Sequence, residues 1–121
     1  MSKRILFIDD EPTVLLVSEL ILRSLGYDII TADGGTRGIE VLKTENVDLI
    51  LLDLMMPDIH GLDVLKSIKE NEELKNIPVI MQTGIKDNHD IDMAYKLGAS
   101  GVLIKPYNKE DLKNAIEAHF K

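Results

Sequence analysis

Short apolar runs alternate along this chain with longer amphipathic stretches. Residues 4–8, 28–32, 49–52, 79–82 and 101–104 read as five strands. The run Leu49-Ile50-Leu51-Leu52 has no polar alternation, as expected of a strand covered on both faces. The first helix opens at Pro12, where the missing N–H has no helical partner to lose. It stops at Gly26, which suits the left-handed position after a helix. Val14, Val17, Ile21 and Leu25 form its expected core face, with Leu15, Leu16 and Leu22 partly left over as a broad stripe or a partner surface. The third helix places Leu62, Leu65 and Ile68 on one buried stripe. The fourth covers about residues 91–97 and stops at Gly98. The fifth starts from an Asn108 cap, with Asp111 three residues on and Leu112, Ala115 and Ile116 on one face. The second has the least support, because Gly34, Gly35 and Gly38 each cost about 1 kcal/mol inside a helix. Five such units predict an α/β fold: a doubly wound five-stranded parallel sheet, order 2-1-3-4-5, with helices on both faces in a flavodoxin-like three-layer sandwich.

Polar residues stand directly behind four of these runs. Asp9 and Asp10 follow the first, Asp53 the third, Thr83 the fourth and Lys105 the fifth. In a doubly wound sheet the strand tips meet in one crevice. Carboxylates brought together there repel by ~4 kcal/mol per close pair at an effective dielectric of 20. Only Lys105 and a bound cation can offset that locally. An all-oxygen carboxylate set suits Mg²⁺ or Mn²⁺, and Mg²⁺ prefers a few carboxylates with water in its other positions. Three carboxylates, Mg²⁺ and one ammonium sum to about zero, leaving room for a phosphoryl group. Asp53 then qualifies as a carboxylate nucleophile of the kind that forms aspartyl phosphates. Taken singly, Asp9-Asp10-Glu11-Pro12 could be a helix-capping turn, Thr83 a strand end and Lys105-Pro106 a surface turn. Their common placement at converging tips argues for a site.

Three segments carry a resemblance. They are Ile5-Leu6-Phe7-Ile8-Asp9-Asp10-Glu11-Pro12, the stretch from Asp48 through Asp53-Leu54-Met55-Met56-Pro57-Asp58 to Gly61, and Gly98-Ala99-Ser100-Gly101 through Lys105-Pro106-Tyr107. In this order and spacing the chain resembles the receiver domain of two-component response regulators over nearly its whole length. The resemblance implies that Asp53 accepts a phosphoryl group from a phosphohistidine on a sensor histidine kinase or a histidine phosphotransfer protein. It implies Mg²⁺ held by Asp10, Asp53 and the backbone carbonyl of Met55, with Asp9 acting mainly through water. Lys105 would neutralise one phosphoryl oxygen, the Thr83 hydroxyl would approach another, and Pro106 would follow a cis peptide bond. A regulatory phosphoacceptor is expected, not an enzyme turning over a separate substrate. It would act as a single domain over residues 1–121, as a monomer or a phosphorylation-dependent dimer, with output through an unidentified downstream protein.

Two features depart from the family picture. The strand-5 position where the family carries a switching aromatic is Val102, which has no ring to bury and few rotamers. Any switch is therefore expected in residues 85–90 and the fourth helix, while Tyr107 is read as a packing residue. Met55 and Ile85, two residues after Asp53 and Thr83, are apolar and offer nothing to activate water, so spontaneous dephosphorylation is expected to be slow.

Composition closes other routes. The net charge of −7 argues against nucleic-acid binding, which needs a basic face. Without cysteine there is no disulfide or thiolate metal site. No apolar run approaches the ~20 residues of a membrane span, and Ser2-Lys3-Arg4 before 5–8 is too short for a secretory signal. A cytoplasmic protein is expected. His60, His89 and His119 are not expected to be ligands or phosphodonors. Gly34–Gly38 lacks the Gly-Lys-Ser/Thr ending of a phosphate-binding loop and reads as a flexible connection. A pseudo-receiver that binds partners without phosphorylation is the main alternative. An aspartyl phosphatase is disfavoured by Met55, where such enzymes carry a second acid. A flavin or nucleotide carrier is disfavoured by the acidic first turn.

Overall fold

The computed structural model describes residues 2–84 and 88–120. Strands β1 (Arg4–Ile8), β2 (Asp28–Ala32), β3 (Leu49–Asp53), β4 (Val79–Thr83) and β5 (Gly101–Ile104) alternate with helices α1 (Pro12–Ser24), α2 (Gly35–Thr44), α3 (Gly61–Glu70), α4 (Asn88–Lys96) and α5 (Lys109–Glu117). The strands form one sheet, all parallel, in the order β2-β1-β3-β4-β5 that the sequence predicts. Register sets the tips level: Ile8 pairs with Leu52, Asp53 with Gln82, and Thr83 with Ile104.

Strand alternation divides the core in two. Leu6, Ile8, Ile50, Leu52 and Met81 pack with Val41, Val64, Leu65, Ile68 and Ala94, so α2, α3 and α4 cover that face. Ile5, Phe7, Leu49, Leu51 and Ile80 pack with Leu22, Leu112 and Ile116 of α1 and α5. A one-residue slip of any strand would exchange the two sets, so burial on both faces pins the register.

Several local expectations need correction. β3 and β4 each run one residue further than their apolar cores, taking in Asp53 and Thr83. Helix α4 begins at Asn88, because its polar first turn of Asn88, His89 and Asp90 carries no hydrophobic signal. The segment 34–38 is no flexible connection. Gly35 and Gly38 are helical, and a Cβ on Gly38 would stand 2.5 Å from Ile8 Cδ1, so glycine lets α2 approach β1. The Asp58 carboxylate accepts from the N–H groups of Gly35 (3.2 Å) and Thr36 (2.9 Å) at the start of α2. Those backbone bonds, Thr36 first, hold its pKa below the ordinary carboxylate value. On α1 the buried positions are Ser18 and Leu22, whereas Val17 is 48% exposed. The pattern had placed Val17 inside and Leu22 partly outside, having no reason to count a serine as core. His60 caps α3, its Nδ1 accepting the Leu62 N–H at 3.2 Å. Asn108 and Asp111 form a reciprocal capping box on α5.

Gly61 closes the loop after β3. Its N–H donates to the Leu54 carbonyl at 2.7 Å, and an added Cβ would lie 2.3 Å from the Asp53 carbonyl oxygen and 2.7 Å from Leu54 Cα. Backbone cannot swing aside as a side-chain end can. Gly61→Ala is therefore expected to lower stability by about 3 kcal/mol in urea unfolding. Gly101→Ala, whose Cβ meets nothing closer than 3.9 Å, should change it by less than about 0.5 kcal/mol.

Candidate functional site

Of the residues behind the strand runs, the three aspartates and Lys105 meet. One carboxylate oxygen from each of Asp9, Asp10 and Asp53 lies within 4.8 Å of the others. Lys105 Nζ donates to Asp9 Oδ2 at 3.0 Å and to Asp53 Oδ1 at 3.3 Å. Asp9 is fully buried and Asp53 is 5% exposed, while Asp10 is half-buried. The Glu11 N–H donates to Asp9 Oδ1 at 3.0 Å, so both oxygens of that carboxylate are held. Backbone bonds fix the surrounding loops: Leu54 N–H to the Gln82 carbonyl at 2.9 Å, and Lys105 N–H to the Thr83 carbonyl at 2.7 Å. The Lys105–Pro106 peptide is cis, as the family resemblance implied.

Alternation explains which side chains converge. Asp9, Asp53, Gln82 and Lys105 lie two residues beyond Phe7, Leu51, Ile80 and Leu103, all packed on the α1/α5 side. Thr83 lies two beyond Met81, whose side chain belongs to the opposite cluster. Thr83 sits nearly buried at the tip of β4. Met55 lies in the loop after β3 with its side chain half exposed. Ile85 lies outside the described residues.

Electrostatics here follow burial. Asp53 is pushed up to about 6, chiefly by desolvation and then by the Asp9 charge, with Lys105 pulling the other way. Burial works against the charge of Lys105, but its hydrogen bond to Asp9 and the Asp53 charge outweigh that and raise its pKa. The donor set is all oxygen, with three carboxylates converging beside one cation, and such a set fits a hard divalent ion.

Two residues of the site were not foreseen as such. Gln82 is fully buried, and its amide takes the hydroxyl of Tyr107 on one end and faces Asp9 on the other. A polar residue directly behind the apolar run Val79-Ile80-Met81, still within the strand, was the signal available. Tyr107 packs in the α1/α5 cluster as expected, but it also turns its hydroxyl inward to this amide.

The sequence model of the response regulator receiver domain matches residues 5–117. The chain belongs to that family. Among curated relatives it is 34% identical to chemotaxis protein CheY of Pseudomonas aeruginosa, over 98% of this chain and 96% of that protein. It is 31% identical to the alkaline phosphatase synthesis transcriptional regulatory protein PhoP of Bacillus subtilis, over 98% of this chain but 48% of that protein. The chain thus spans about half the length of such transcriptional regulators. Among solved structures, a CheY-like receiver domain from Methanospirillum hungatei superposes with a TM-score of 0.92 at 28% identity, covering 98% of this chain and 93% of that one. The receiver domain of a sensor histidine kinase from Pseudomonas aeruginosa, solved with a magnesium ion coordinated in its active-site cleft, gives 0.90 at 25% identity, covering 98% of each chain. Receiver domains are regulatory modules of two-component systems, serving sensor histidine kinases and downstream targets, and this chain is one of them. No helix of the described residues is long and apolar enough to cross a membrane.

The raised Asp53 pKa has a definite sign. Between the unfolded value of 3.8 and about 6 the folded, metal-free protein holds a proton that the unfolded chain has lost. Stability therefore falls as pH rises through that window and stays reduced above it. In EDTA, Asp53→Asn is expected to raise the melting temperature at pH 7.5, with the gain shrinking towards zero by about pH 4. Thermal scans of both proteins across that range check it.

Proposed function

We propose that this receiver accepts a phosphoryl group on Asp53 from a phosphohistidine of a sensor histidine kinase or a histidine phosphotransfer protein. The observation that carries the reading is the ammonium of Lys105 shared between two buried carboxylates, beside a third. An ionised Asp53 oxygen attacks phosphorus in line. The new O–P bond forms as the P–N bond breaks, and the electron pair stays on the departing imidazole nitrogen. Asp10, Asp53 and the Met55 carbonyl would hold Mg²⁺ directly, with Asp9 acting through water. When bound, Mg²⁺ supplies positive charge at the phosphoryl oxygens. Lys105 neutralises one of those oxygens, and the Thr83 hydroxyl donates to another. Such groups act by electrostatic preorganisation around a transition state with little covalent demand on the protein.

The domain assists its own phosphorylation and dephosphorylation and turns over no separate substrate. Residues 1–121 act as one receiver domain, in the cytoplasm, as a monomer or a phosphorylation-dependent dimer. Its output is the altered surface that phospho-Asp53 presents to a downstream protein. Neither nucleic acid nor membrane is a partner in this reading.

The test is incubation with Mg²⁺ and acetyl phosphate, followed by intact mass. Wild type should gain one phosphoryl group and Asp53→Ala none. A gain in both proteins would reject Asp53, and a gain in neither would favour a pseudo-receiver. The half-exposed thioether of Met55 offers no hydrogen-bonding group to an attacking water. Phospho-Asp53 should accordingly decay slowly, and Met55→Asn should shorten its half-life by several-fold when label loss is followed in isolated protein.

A further inference from the structure

Gln82 is the residue whose burial most needs an explanation. It lies in a strand otherwise apolar up to its tip, is fully inaccessible, and carries an amide with both donors and an acceptor to satisfy. Its Nε2 approaches Asp9 Oδ2 at 3.5 Å, a long contact to the same oxygen that Lys105 holds. Its Oε1 accepts from the Tyr107 hydroxyl at 2.5 Å. An ionised carboxylate only accepts, so the amide must turn its NH₂ end to Asp9 and its oxygen to Tyr107. The tyrosine proton is then committed to Gln82. Ser18, the buried serine on α1, also hydrogen-bonds that hydroxyl. Ser18 and Tyr107 also line a cleft of about 320 Å³ between α1 and the β5–α5 connection. A continuous line of polar groups thus runs from Asp9 through the interior of the α1/α5 layer to a surface cleft.

We propose that Gln82 and Tyr107 are positioning residues for Asp9: the amide braces the carboxylate that reaches the cation through water, and Tyr107 fixes the amide. The same bridge makes the Tyr107 hydroxyl responsive to charge gained or lost at Asp9. Tyr107, rather than the strand-5 position occupied by Val102, is therefore the aromatic side chain connected to the site. This proposal rests on the reading of Asp9, Asp10 and Asp53 as a Mg²⁺ site.

The chain has three tyrosines and no tryptophan, so emission can be assigned. Tyr95 is exposed, and Tyr27 packs on Phe120 with ring centroids 5.8 Å apart. The Tyr27→Phe/Tyr95→Phe background leaves Tyr107 as the single emitter. In that background, MgCl₂ is titrated by calorimetry and by tyrosine emission. The emission should change with the calorimetric midpoint. Gln82→Leu should weaken Mg²⁺ by several-fold, less than the roughly tenfold or more for losing the partner of a direct ligand, because Asp9 acts through water. It should also silence the emission change, although the metal still saturates. In the wild-type background, Tyr107→Phe should weaken Mg²⁺ in the same direction, and the double variant should be no weaker than Gln82→Leu alone, as for two groups acting as a unit. Urea unfolding shows whether each variant remains folded; an apolar, similarly sized leucine suits this buried strand. Unchanged affinity in Gln82→Leu, additive losses in the double variant, or a surviving emission response would each overturn the proposal. A Tyr27→Phe/Tyr95→Phe protein that binds Mg²⁺ with Tyr107 silent would overturn it alone. A wild type giving neither heat nor emission change would overturn the Mg²⁺ reading as well.

Discussion

Two carboxylates buried side by side and held by one ammonium set the terms for the rest of this molecule. Asp9 and Asp53 come from adjacent strands whose apolar cores fix their register, so they cannot separate without slipping the sheet. In a partly desolvated crevice their repulsion is several kcal/mol by simple Coulomb arithmetic, roughly 4 at 4 Å and a dielectric of 20. Lys105 reaches both from the end of β5, and its backbone N–H is itself tied to β4 at the Thr83 carbonyl. Burial first, and then the Asp9 charge, leave Asp53 easier to protonate than an ordinary aspartate despite the lysine. A site with negative charge to spare, walled by apolar strands, is suited to a divalent cation and then to a phosphoryl group.

Much of this was legible in the order of residues. Strand positions, sheet order and the meeting of Asp9, Asp10, Asp53 and Lys105 follow from apolar runs ending in charged residues, because a parallel sheet aligns its tips. What escaped were features in which a polar or small residue occupies a core position. Ser18 on α1 and Gln82 in β4 are buried through partners distant in sequence, which periodicity cannot register. The glycines of α2 counted against a helix, yet Gly38 is there because Ile8 occupies the space a side chain would need. The start of α4 was missed because its first turn is wholly polar.

The division of the sheet into two faces gives the site two outlets. Thr83 belongs by alternation to the side covered by α2, α3 and α4, while Asp9, Asp53, Gln82 and Lys105 belong to the side of α1 and α5. Thr83 and the Gln82–Tyr107 pair thus lie towards opposite faces of the sheet beside the carboxylates. The pair ends beside α1, where Leu16, Val17 and Leu20 stand exposed. Chemistry at the strand tips and the surface offered along α1 therefore share one layer of the protein.

The central claim is that Lys105 and a divalent cation serve the same carboxylates, so the two compete as positive charges. Calorimetric titration of Mg²⁺ into wild type and Lys105→Met measures that competition directly. The account predicts several-fold tighter Mg²⁺ binding once the ammonium is gone. Equal or weaker binding in the variant would contradict it.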